Sequence, residues 1–180
     1  MSTRPPPSSA TRRGGTRRGL ALAAVSLAAL LPGLAHAQEG PGRRMPDRGG
    51  GHVPEGQSVP YPSYPPTSGP HWPRPAPWGV YDFEIAPEVY VHSLEHGGIV
   101  ALYHCPGPCP DLVEKLRRAY ATLPRSKHGH VKLLVTPVSI LDHRLAFLAW
   151  TWIEELEDFD QGRLLRFYKA HLDRGPEDVP

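Results

Sequence analysis

IVALYHCPGPCPDLVEKLRRAYATL, residues 99–123, decides the architecture of this chain. Ile99–Tyr103 is short, apolar and bounded by turn residues, so it reads as a buried strand. Pro110 suits the first position of a helix. Leu112, Val113, Leu116, Tyr120 and Leu123 then recur at helical spacing until Pro124, which predicts a helix over Asp111–Leu123. Downstream, Val131–Thr136 reads as a second strand ended by Pro137. Leu145–Leu156 fits a helical stripe through Leu145, Leu148, Trp152 and Leu156, but Trp150-Thr151-Trp152-Ile153 favours a strand, and a strand is the reading taken. Phe159–Leu172 predicts a final helix, capped by Asp158 or Asp160 and stopped at Gly175-Pro176. The order β-α-β-β-α makes this an α+β domain with a small sheet and its helices packed on one face.

That domain is expected over residues 80–180. Before it, residues 58–79 carry prolines at 60, 62, 65, 66, 70, 73, 75 and 77, which forbid a helix or a central strand. Tyr61, Tyr64 and Trp72 suggest that this extended, Pro-rich segment lies on the folded body. Residues 38–57, rich in Gly, Arg and Pro, have too little apolar surface to offset their ordering entropy and read as a flexible tether. Residues 1–37 have the form of a cleaved signal peptide. Arg12, Arg13, Arg17 and Arg18 precede an apolar Leu20–Leu31, a Pro32-Gly33 break and an Ala35-His36-Ala37 cleavage site. Thr16–Ala21 also fits a twin-arginine signal loosely, so the export route stays open. The expectation is an exported protein, periplasmic or extracellular.

All 18 carboxylates lie after Ala37, but five of the 20 lysines and arginines lie before it. The exported chain is therefore slightly acidic, which removes the electrostatic case for nucleic-acid binding. No stretch after the signal is long and apolar enough for a membrane span.

Chemistry concentrates in Val91-His92-Ser93-Leu94-Glu95-His96-Gly97-Gly98. Two histidines four residues apart can share a metal on a helical turn but not along a strand, where they stand about 13 Å apart. The segment also matches the H-x-x-E-H pattern of inverted zincins, in which the glutamate activates water. That pattern needs a stable helix, and Pro87 upstream with Gly97-Gly98 downstream leaves barely two turns, so a bent turn is expected. A hydrolase would need a third ligand, from Glu154, Glu155 or Glu157. His71, in the rigid Thr67-Ser68-Gly69-Pro70-His71-Trp72 turn, is the candidate third histidine, and three imidazoles suit copper or zinc.

The remaining histidines carry less weight. His104 is a weaker candidate, His52 in the tether adds at most a loose ligand, and His128, His130, His143 and His171 read as surface residues. Glu154 to Asp160 reads as a solvated acidic run. Cys105 and Cys109 are the only cysteines. In an exported chain they read first as a disulfide pinning the strand end to the helix start, with a redox pair or a soft-metal site with His104 as alternatives.

Three segments in order, Pro65-Pro66-Thr67-Ser68-Gly69-Pro70-His71, Gly79-Val80-Tyr81 and Val91–Gly97, give the chain a resemblance to the domain-of-unknown-function 3105 family of exported or membrane-anchored bacterial proteins. The resemblance covers roughly Val59 to Leu172. It implies a small α+β domain outside the cytoplasm and no established activity. Many relatives carry a cysteine before Gly-Val-Tyr where this chain has Trp78, so no disulfide transfers from them. His71, His92, Glu95 and His96 all fall within the matching motifs.

The leading expectation is a non-enzymatic, exported transition-metal-binding protein, copper favoured over zinc. His71, His92 and His96 would be ligands, and Glu95 would orient a ring. The alternatives are a zinc-dependent hydrolase with Glu95 as general base, and a structural or partner-binding module whose partner the sequence does not name.

Overall fold

The computed structural model describes residues 40–180, and the export signal expected over 1–37 lies outside the described residues. In chain order these residues form β1 (Arg43–Arg44), β2 (Gly79–Val80), α1 (Pro87–Glu95), β3 (Ile99–Tyr103), α2 (Pro110–Thr122), β4 (Leu133–Pro137), β5 (Leu145–Ala149), β6 (Trp152–Leu156) and α3 (Gln161–His171). One mixed sheet holds all six strands in the order β1-β6-β5-β3-β4-β2. β3 and β4 are parallel, with Ile99 opposite Leu133, and α2 is the crossover that a parallel pair requires. β5 returns antiparallel to β3 and pairs in turn with β6.

This is the α+β architecture expected from the strand–turn–helix pattern, with element ends displaced by a residue or two. β3 is central and buried at every position, because both faces of the sheet are covered. Ile99, Ala101 and Tyr103 pack with Leu112 and Leu116 of α2 and with Leu164 and Phe167 of α3. The two expected helices therefore share a face. Val100 and Leu102 point the other way, onto Tyr90, Val91 and Leu94 of α1. Among the described residues no helix is long and apolar enough to cross a membrane.

Three expectations need correction. Leu145–Leu156 is a hairpin, not one strand, and it turns at Trp150-Thr151. Nothing in that dipeptide announces a turn. Thr151 adopts a positive φ of 61°, and the turn is held by long-range bonds: Thr151 N donates to Thr67 O, and Met45 N to Thr151 O. Second, the segment expected to be a bent turn is helix α1, with Pro87 at its first turn. The glycine pair ends this helix without preventing it. Gly97 N donates to Leu94 O and Gly98 N to Ser93 O, the crossed bonds of a Schellman motif, with Gly97 at φ +74°.

Third, the described part of the supposed tether runs along the body as a strap. Arg43 pairs with Ile153 on the sheet edge, and Val53 N donates to His71 O. Its side chains stay mostly exposed, as its composition requires, and the attachment comes from backbone hydrogen bonds.

Candidate metal centre

Helix α1 places His92 in its last turn, Glu95 at its final residue and His96 at its C-cap. The turn before Trp72 delivers His71 to the same place. Gly69 there takes a φ of +123°, and a β-carbon at this position would stand 3.2 Å from the Tyr61 ring. The strap delivers a fourth group: His52 and His71 form a parallel bridge, through His71 N to Gly51 O and Val53 N to His71 O. One donor atom each from His52, His71, His92 and Glu95 lies within 4.8 Å of all the others. His52 belongs to this group although its tether-like setting had suggested only a loose ligand.

The protons are arranged for ligation. His71 is fully buried, and its Nδ1 lies 2.8 Å from Gly69 O, which can only accept. Nδ1 of a neutral ring therefore carries the hydrogen and Nε2 keeps its lone pair. With the ring neutral, that Nε2 sits 2.9 Å from Oε2 of Glu95 and makes no hydrogen bond among the described residues. A lone pair beside a buried carboxylate is costly unless a positive centre, a ring proton or a metal ion, lies between them. His92 repeats the arrangement, with Nδ1 donating to Trp72 O at 2.7 Å, so its Nε2 is also free. Metal-bound histidines normally fix their second nitrogen in this way. Burial, opposed by the bond to Trp72 and reinforced by the neighbouring His71 and His52, holds the His92 pKa below the ordinary histidine value. A neutral imidazole is the form that binds metal.

His96 stands apart from this group. Its ring packs 4.5 Å from that of His92, but its Nε2 faces Glu177, 3.3 Å away. His92, His96 and Glu177 form a second group of mutually close donors. Burial and the adjacent His92 push the His96 pKa down to about 4, against the pull of Glu177. The expected trio of residues 71, 92 and 96 is thus divided between two groups that meet at His92. Glu95, expected to orient a ring, is among the donors, while the carbonyls of Gly69 and Trp72 do the orienting. A backbone carbonyl leaves no mark in a sequence, so that signal could not be read.

For the hydrolase alternative, Glu95 is buried with its Oε2 2.9 Å from Nε2 of His71. The proposed third ligands are engaged elsewhere: Glu154 with Arg163 at 2.7 Å, Glu155 with Arg43, and Glu157 with His143. Cys105 and Cys109 are joined in a disulfide between β3 and α2. His104 Nδ1 donates to Val138 O at 3.0 Å, and His104 belongs to neither group. His171, read as a surface residue, is buried between Trp152 and Phe167 and bonds Pro41 O, which ties the strap to α3.

A family described as protein of unknown function, DUF3105, matches residues 52–180. The chain belongs to that family. The matched span starts at His52 and contains every donor of both groups. Neither the curated proteins nor the solved structures contain a match to this chain.

Proposed function

We propose that this DUF3105 protein is exported and holds one divalent transition-metal ion through His52, His71, His92 and Glu95. The observation that carries the reading is the buried, unpartnered Nε2 of His71, fixed in its metal-ready tautomer beside the Glu95 carboxylate. Three imidazoles and a carboxylate, without sulfur, suit zinc or copper(II), and the general affinity order favours copper(II). Four protein donors also complete a tetrahedral shell, whereas catalytic zinc keeps a position open for water. Binding or delivery of the ion therefore fits better than hydrolysis. The signal-peptide pattern of residues 1–37 supports placing this work in the periplasm or at the cell exterior.

Titration of the metal-stripped protein with copper(II) or zinc tests the proposal. We expect a single tight site and, for His71→Ala, a loss of at least about 100-fold in affinity, since even the groups that merely orient a ligand are worth 10–100-fold. If the wild-type protein takes up neither metal, or if His71→Ala matches it with both, the proposal is wrong.

A further inference from the structure

The two donor groups share one residue and, by its chemistry, one atom. Nδ1 of His92 is committed to the Trp72 carbonyl, so only Nε2 can serve either group. A single lone pair cannot hold two ions at once. The outer group, His92 with His96 and Glu177, therefore cannot be filled while His92 serves the inner one.

Exposure and placement distinguish the two. The Glu177 side chain is 46% exposed and that of His96 15%, against 0% and 9% for His71 and Glu95 within the inner group. The outer group is also built in place. Glu177 N donates to Glu95 O at 3.0 Å, holding the C-terminal segment on the end of α1. Lys132, its side chain almost fully buried, donates to His96 O at 2.9 Å and to Val179 O at 2.6 Å, clamping both sides of the pair. The rings of His96, His92 and His71 stand in succession, with centroids 4.5 Å and then 4.9 Å apart.

Resting on the proposed inner centre, we infer that His96 and Glu177 form a loading station for the same divalent ion. The ion binds first between Glu177, His96 and His92. It then passes inward as His92 Nε2 stays bound while His96 and Glu177 are exchanged for His71, Glu95 and His52. The charge of the ion does not change, and no bond other than metal–ligand bonds forms or breaks. His52 is also exposed, so passage past it is the competing route.

Stopped-flow mixing of the metal-free protein with zinc(II) or copper(II) separates these routes, with equilibrium affinity and bound metal measured on the same samples. For Glu177→Gln and His96→Asn we expect loading and release both slowed, for Glu177→Gln by at least about tenfold, the low end of what local charge does to the capture of ions. Affinity should change little, and a single ion should be bound. His52→Ala should instead lower affinity. Glu177 is half exposed and His96 partly buried, so thermal unfolding of each variant checks that the fold is kept. Unchanged rates, an affinity loss in step with the rates, or a second bound ion would each overturn the loading station while leaving the inner centre standing. Absence of uptake by the wild-type protein would overturn both.

Discussion

At the scale of single residues, Gly50 is the most informative position outside the donors themselves. A β-carbon there would overlap Oε1 of Glu95, the movable end of a side chain and not fixed backbone. Gly50→Ala should therefore leave the melting temperature nearly unchanged while pushing the carboxylate out of place. A drop in metal affinity without a drop in stability, from calorimetric titration beside thermal unfolding, is the expected pair of results. Equal affinity in the variant would show that Glu95 is not a ligand. His71 and His92 were legible as candidates because each sits in a distinctive, conformationally restricted motif. His52 was not, since eighteen residues of low apolar content lie between it and His71, and the backbone bridge between the two brings it in.

Among the elements, α1 carries the site, and its glycine stop decides where the site points. Gly97 is held at φ +74°, and a β-carbon there would stand 2.8 Å from the α-carbon of Asp173, where backbone must give way. A left-handed conformation alone costs a residue with a side chain about 1–2 kcal/mol. Gly97→Ala should thus lower the unfolding free energy from urea titration by at least that much, and it should weaken metal binding too, because the end of α1 holds Glu95. A variant as stable as the wild-type protein would contradict the Schellman stop. β3, α2, β4 and α3 were readable because each has its own periodicity and its own proline or aspartate boundary. The α1 segment was harder, since Pro87 and Gly97-Gly98 are equally the punctuation of a short helix and of a loop. The β5–β6 turn was invisible because bonds from Thr67 and Met45 hold it, and no local turn residue does so.

On the scale of the whole molecule, the strap, α1, α3 and the C-terminal segment are joined through buried histidines, and that sets a pH limit. His92, His96 and His171 all have pKa values lowered chiefly by burial, His96 to about 4. An unfolded histidine titrates near 6.5. Between that value and the lowered one the unfolded chain binds more protons than the folded one, so stability falls as pH drops through the window and is fully present only above it. Denaturant midpoints of the chelator-treated protein should accordingly decline from about pH 7 to about pH 4.5. A flat profile would show that these rings are not held neutral.

The proposed centre is a metal ion held among four named side chains. Anomalous diffraction from crystals of the zinc- or copper(II)-loaded protein, recorded on either side of the metal's absorption edge, tests it most directly. One peak is expected, bonded at about 2.0–2.2 Å to imidazole nitrogens of His52, His71 and His92 and to a carboxylate oxygen of Glu95. No peak at this place, or a peak whose ligands exclude His71, would contradict it.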